Sequence, residues 1–261
     1  MPKYAVLWKE VGETPLQAIE RFRKVSHIGD EVPLAYAGRL DPMADGKLLV
    51  VIGDECKQQT KYHSLDKQYL FTVLFGFQSD THDILGIAHT SPYVFDPHEN
   101  MVRVRAHTGT ITLPYPAFSA RTVRGIPLHE RTLGGTLEDG ETPTKTSRVY
   151  SLSRTGIETI AAPVLLERIL SRINSFPEVT DPRKELGRDF RRSDVRTRWN
   201  ELLGNSQSEY TLAHFSCICS SGTYMRSLAH AFGGLSFSIT RTKIGTYVPL
   251  PFELGFWSKE F

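Results

Sequence analysis

Gly38-Arg39-Leu40-Asp41-Pro42-Met43-Ala44-Asp45-Gly46 sets one acid between a leucine and a proline, with a glycine at each end of the stretch. The apolar run Leu48-Leu49-Val50-Val51-Ile52 follows directly. Pro42 steers Asp41 away from helical dihedrals, and the glycines permit tight turns or a close approach of backbone. The run after them reads as a buried strand. A short loop pinned against such a strand holds a side chain more rigidly than a mobile tip does. Asp41 is therefore a candidate for a fixed, reactive carboxylate, set against the plainer reading of a turn residue.

Working outward, residues 4–8 (YAVLW) read as a short strand. Thr14 caps a helix that has Pro15 at its first position and Gln17 completing a capping box. Leu16, Ile19, Phe22 and Val25 recur at three-residue steps and define its expected apolar face. KQYLFTVLFG is a longer strand with Tyr69, Phe71, Val73 and Phe75 on one side by period-two alternation. FGFQSDTHDILG reads as a polar turn region, and residues 103–128 as short strands and loops rich in Pro, Gly and Thr. EYTLAHFSCICSS is a third clear strand. GTYMRSLAHAFGG is a helix ended by Gly233 and Gly234, and SFSITRTKIGTYVPL is strand-like.

Residues 158–208 differ in texture and read as a helical insertion. Leu166, Ile169, Leu170 and Ile173 form one apolar stripe. A second helical pattern, starting at Asp181-Pro182, carries Arg183, Lys184, Arg188, Arg191, Arg192, Arg196 and Arg198, offset by Glu185, Asp189 and Asp194. Such a run is either a solvated face or a phosphate grip, and the RNA-contact reading is slightly favoured.

The 261 residues are 40% hydrophobic and 23% charged, enough for a substantial core. No apolar run approaches the roughly 20 residues of a membrane span, and Met1 to Glu10 lacks the apolar core of a secretory signal. Three cysteines, Cys56, Cys217 and Cys219, argue against a disulfide framework and fit a reduced, cytoplasmic setting. Cys217 and Cys219 sit in an apolar strand without completing histidines, so they read as core thiols and not as metal ligands. A net charge of +2 permits nucleic-acid binding without requiring it.

The motif order adds a resemblance. Residues 38–46 are similar to the aspartate signature of the TruB family of pseudouridine synthases. Further blocks follow in family order: Lys67-Gln68-Tyr69; Phe75-Gly76 with Thr81-His82-Asp83 and Gly86; Pro116-Ala117-Phe118-Ser119-Ala120 with Val123-Arg124-Gly125; Cys219-Ser220-Ser221-Gly222-Thr223-Tyr224-Met225-Arg226-Ser227-Leu228; and Arg241-Thr242-Lys243-Ile244-Gly245.

The resemblance implies an α/β (α+β) pseudouridine synthase fold, with a central, mainly antiparallel mixed sheet flanked by helices and loops. It implies one catalytic domain over residues 1–261 carrying the insertion, without the C-terminal PUA domain of longer members. The implied activity is isomerisation of uridine to pseudouridine in the tRNA T-arm, at uridine-55 of the TΨC loop. No cofactor or metal is implied; a monomer is expected. Asp41 maps to the nucleophile, Arg226 to the arginine that pairs with it, and Tyr69 to the tyrosine that stacks on the base near its C5 proton. Tyr224, Ile239 and Arg39 are implied substrate contacts. Tyr36 stands where the family has a histidine that fills the gap left by the flipped nucleotide. Lys9 matches a family lysine expected to make structural or backbone contacts. Two rivals stay open: the same chemistry at another tRNA or rRNA site, and a non-catalytic RNA-binding scaffold. Retention of Asp41, Tyr69 and Arg226 argues against the second.

Overall fold

The computed structural model describes residues 2–119, 121–135, 142–177, 189–251 and 254–261. The chain runs β1 (Tyr4–Lys9), α1 (Pro15–Val25), β2 (Leu34–Ala37), β3 (Asp45–Ile52), a 3-10 turn, α2 (Gln59–His63), β4 (Asp66–Leu74), β5 (Phe77–Ser79) and β6 (Ala88–Thr90). It continues through α3 (Pro97–Ala106), β7 (Gly109–Pro114), β8 (Thr122–Val123), β9 (Ile126–Pro127), α4 (Leu128–Leu133), β10 (Thr144–Ala161) and α5 (Ala162–Asn174). The remainder is α6 (Arg192–Leu203), β11 (Glu209–Cys219), α7 (Met225–Ala231), β12 (Leu235–Pro249) and β13 (Gly255–Glu260).

Nine strands form one mixed sheet in the order β1-β3-β12-β4-β11-β10-β7, with β2 on β3 and β13 on β12. Its pairings are antiparallel except for a short parallel contact of β12 with β3 at Thr240–Asp45 and Arg241–Gly46. That crossing explains Gly46. Its φ is +113°, and a Cβ there would stand 2.3 Å from the Arg241 carbonyl oxygen, so only glycine lets β3 and β12 touch.

The expected strands at residues 4–8, 48–52 and 67–75 and in β11 and β12 are present. Tyr69, Phe71, Val73 and Phe75 share one core face with Phe215, Cys217 and Cys219 of β11. The Thr14 capping box and Pro15 start α1 as expected. Its buried face is narrower than the spacing suggests: Ala18 and Ile19 are covered, whereas Leu16 and Val25 are 55% and 74% exposed.

Three sequence expectations need correction. Residues 103–106 close helix α3, which Asp96 caps through Glu99 N at 2.6 Å. FGFQSDTHDILG holds strand β5 and the turn that leads into its hairpin partner β6, and that turn buries Thr81 and Asp83. The stretch 158–161 belongs to β10, an 18-residue strand whose pairing with β11 carries register shifts at Val149/Ser151 and Arg154/Gly156 that interrupt its alternation. The helical unit thus begins at Ala162. Asp181-Pro182 and the basic residues Arg183, Lys184 and Arg188 lie outside the described residues; α6 opens at Arg192. Leu165, Ile169 and Ile173 of α5 meet Val195, Trp199 and Leu203 of α6 in a cluster that also holds Phe77, Ile84, Leu212 and Leu235 from the sheet side. The two helices are part of the core, not an appendage.

Candidate active site

The loop between β2 and β3 is closed by a turn in which Ala44 N donates to Asp41 O at 3.0 Å, with Pro42 in the second position that suits it. Leu40, Met43 and Ala44 are buried in the same cluster as Tyr69 and Phe71, so apolar anchors flank the acid on both sides. Arg241, wholly buried, ties down the backbone: Nη1 donates to Arg39 O (3.3 Å), Nη2 to Gly38 O (3.2 Å) and Nε to Lys47 O (2.7 Å). Gly12 N donates to Pro42 O from the other side at 2.9 Å. The loop can therefore change shape only by breaking several bonds together.

Arg226, at the second position of α7, donates Nε to Asp41 Oδ2 at 2.8 Å. Its Nη1 reaches Thr81 O at 2.9 Å and its Nη2 Phe118 O at 3.2 Å. Asp83 Oδ2 lies 3.5 Å from Nη1. The guanidinium is 6% exposed, while Asp41 is 27% exposed and opens to the clefts. Asp83 is in turn held by Thr81 Oγ1 (2.6 Å) and Leu85 N (3.0 Å). Burial pushes the Asp83 carboxyl up, and Arg226 and Thr81 only partly offset this. Burial works against the charge of Arg226, yet the two acids hold it more firmly protonated than usual.

Two clefts of nearly equal volume, about 220 and 230 Å³, meet at Asp41 and Arg39. Tyr69, Tyr224 and Ile239 line the first with Lys67 and Arg241. Tyr69 is paired with Cys217 on one side and Arg241 on the other. Burial raises its phenol to about 12, against the opposing pull of Arg241. Burial also raises Tyr224, whose ring packs edge-on against Tyr115 at 5.2 Å. Lys67 is brought down to about 8, first by burial and then by Arg241. The second cleft lies between Asp41, the Arg226–Asp83 pair and the helical unit.

The geometry thus assembles Asp41, Tyr69, Arg226, Tyr224, Ile239 and Arg39 around one point. Lys9 and Tyr36 line neither cleft. Lys9 is fully buried, brought down to about 8 mainly by burial, and donates to the carbonyls of Glu10 (2.8 Å), Glu13 (2.7 Å) and Pro42 (3.5 Å). Its route to the site is through the loop backbone. Tyr36 packs against Ala18, Ile19, Leu48 and Val50 on the α1 side of β2. Four arginines from residue 191 to residue 198 make contacts within the protein. Arg191 bonds Asp80 (2.7 Å), and Arg192 bonds Asp189 and Phe176 O. Arg196 bonds Asn174 (2.9 Å), and Arg198 bonds Ala88 O (2.8 Å). These contacts fit a docked helix better than the slightly favoured phosphate grip.

Sequence reasoning passed over Asp83, Thr81 and Arg241 as parts of the site. An arginine two residues after Ile239 in an alternating buried strand was the available signal for Arg241. Among the described residues no group of three or more His, Cys, Asp or Glu side chains is arranged to hold a metal ion. No described helix is long and apolar enough to cross a membrane.

Residues 25–167, more than half of the chain, match the TruB family pseudouridylate synthase (N terminal domain). The chain belongs to the TruB family. Among curated relatives, tRNA pseudouridine synthase B of Rickettsia felis is 24% identical over 248 residues, covering 92% of this chain and 58% of that protein. The protein of the same description from Oleidesulfovibrio alaskensis is 29% identical over 232 residues, covering 87% and 56%. The chain thus spans little more than half the length of these relatives. A crystal structure of a Cbf5-Nop10-Gar1 complex contains a chain that superposes with a TM-score of 0.53 at 14% identity, over 93% of this chain and 49% of that one, a likeness of fold. The family fold expected from the motifs, a mixed sheet flanked by helices, is the fold observed.

Proposed function

We propose that this chain isomerises uridine to pseudouridine in tRNA, at uridine-55 of the TΨC loop, with Asp41 as nucleophile. The observation that carries this reading is a carboxylate in a backbone-clamped loop, bonded through one oxygen to a buried guanidinium and open to a cleft walled by Tyr69 and Ile239. The reaction breaks the C–N glycosidic bond and forms a C–C bond from C5 of the same base. It needs a nucleophile that can form a covalent bond and leave again, and a carboxylate is suited to that. Arg226 aims Asp41 through the bond from its Nε to Oδ2. The target must leave its stack, at a cost of a few kcal/mol, and Tyr69 and Ile239 supply the surfaces that receive the uracil. The raised phenol of Tyr69 is protonated at neutral pH, so it acts as a stacking face and hydrogen-bond donor and not as a resting phenolate base. The net reaction conserves atoms and electrons and requires no redox partner. The names of the relatives support tRNA as the substrate class.

The test is an unmodified tRNA transcript incubated with purified protein, with pseudouridine mapped at single-nucleotide resolution beside Asp41→Asn. A mark at the TΨC uridine that the variant lacks is expected. A mark at another uridine would keep the chemistry and change the substrate. Tight, salt-sensitive binding without any mark would refute the catalytic reading.

A further inference from the structure

His82 and His230 take no part in the reaction derived above, yet they sit inside the scaffold of its arginine. Their imidazole rings stack with centroids 3.9 Å apart and planes within 5° of parallel. His82 belongs to the turn of the β5–β6 hairpin, between Thr81 and Asp83. Both of those neighbours hold Arg226: the Thr81 carbonyl accepts from Nη1 at 2.9 Å, and Asp83 Oδ2 lies 3.5 Å from the same atom. His230 is four residues after Arg226 in α7, one helical turn along the same face. Three consecutive residues of one turn therefore meet two residues of one helix, and the ring stack is the contact made by the middle one.

The turn reaches this place in an uncommon conformation. His82 has a φ of +61°, a left-handed value that residues other than glycine seldom adopt. Such a conformation persists where surrounding contacts over-determine it. Here Ser236 N donates to His82 O at 2.9 Å and Ile84 N to Ser236 O at 3.2 Å, and Ser236 is wholly buried near the start of β12. The backbone of the turn is thus tied to β12, while the side chain of His82 is tied to α7 through the stack. Burial lowers both imidazoles and keeps them neutral; His230 and Arg226 act the same way on His82, and His89 on His230. Each ring has a buried Nδ1 without a hydrogen-bond partner among the described residues. Packing of ring on ring, and not a polar bond at Nδ1, therefore sets their register.

We propose that the His82–His230 stack is a positioning element for the reaction: it sets the register of the β5–β6 turn on α7, so that Thr81 and Asp83 hold Arg226 and Arg226 holds Asp41 toward the cleft. The role rests on the catalytic reading of Asp41, and neither histidine lines either cleft. The two act only through others: ring on ring, turn on guanidinium, guanidinium on carboxylate. Displacing a reacting group by about 1 Å can cost about 100-fold in rate, so a small slip of the turn is enough.

The experiment measures single-turnover conversion of an unmodified tRNA transcript, and equilibrium binding of the same RNA, for wild type and variants of the pair. His230→Ala removes one ring. His82→Asn removes the other and keeps a residue that accepts a left-handed φ. Each should slow conversion by about 10- to 100-fold and leave RNA affinity unchanged. The double variant should be no slower than either single one, because the same stack is lost. His230→Phe restores a flat ring and should regain most of the rate. Should His230→Ala melt below the assay temperature, His82→Asn beside His230→Phe carries the test. A rate within about twofold of wild type in the ring-deleted variants, losses that multiply in the double variant, or a His230→Phe as slow as His230→Ala would overturn the proposal. If wild type itself makes no pseudouridine, the catalytic reading falls, and the stack is then judged from a crystal structure of His230→Ala. Arg226 Nη1 moved off Thr81 O would uphold it, and a bond still at 2.9 Å would overturn it.

Discussion

Replacing Arg226 by methionine keeps an unbranched stem of similar shape and removes a guanidinium that touches Asp41, Asp83 and the carbonyls of Thr81 and Phe118. Asp41 is 27% exposed and can turn to water, so its loss of a partner contributes little to stability. Asp83 is 6% exposed and cannot. Breaking a buried pair by removing one partner costs about 3–5 kcal/mol. At about 2–4 °C per kcal/mol for a chain of this size, the melting temperature should fall by about 6–20 °C. Adding Asp83→Asn removes the stranded charge while keeping a group that Thr81 and Leu85 can bond, so the double variant should regain about half of the loss. The sign of the pH effect follows. Burial already pushes Asp83 up, and without Arg226 it goes higher. A carboxyl whose folded pKa lies above its unfolded value stabilises at low pH and loses that contribution as pH rises through the folded pKa. The penalty of Arg226→Met should therefore be larger at pH 8 than at pH 5. Thermal melts of wild type, both single variants and the double variant at the two pH values give the full cycle. A single variant that melts within about 2 °C of wild type, or a double variant no more stable than Arg226→Met, would refute the account of Asp83 as the group that needs the arginine.

Gly46→Ala should destabilise by about 2 kcal/mol or more, since φ is +113° and the new Cβ would strike the Arg241 backbone; because Arg241 also holds the loop, pseudouridine formation should fall further than the melt alone explains. His82 and His230 stack their rings at 3.9 Å, and burial lowers both, His82 to about 3. A histidine kept neutral in the fold stabilises above its unfolded pKa of about 6.5 and loses that stability as pH falls towards the folded value, so the melting temperature should decline below pH 6.5, and His82→Gln should flatten the decline in the same melts. Trp199 is wholly buried and donates Nε1 to Ile84 O at 2.9 Å; Trp199→Ala should cost about 3–5 kcal/mol and lower one shared transition, whereas two separate transitions in calorimetry would mean that the helical unit folds apart from the sheet.

Features with local causes were legible in the chain alone. Proline after Asp41, glycines at the loop ends, the Thr14–Gln17 box and the alternation through Tyr69 are set by dihedral preferences and side-chain period over a few residues, and each appears where expected. Family order added what no local rule carries, that Asp41, Tyr69 and Arg226 belong together. Only the tertiary structure decided the rest. Whether Arg241 is a surface charge or a clamp depends on β12 lying beside β3, nearly two hundred residues earlier, through a contact that Gly46 alone permits. Whether the arginines of α6 reach solvent or bond inward depends on Trp199 and Val195 docking that helix against the sheet. A buried charge finds its partner in space and not in sequence. The helix that carries Arg226, the hairpin that carries Asp83 and the loop that carries Asp41 therefore had to be folded together before the site could be described.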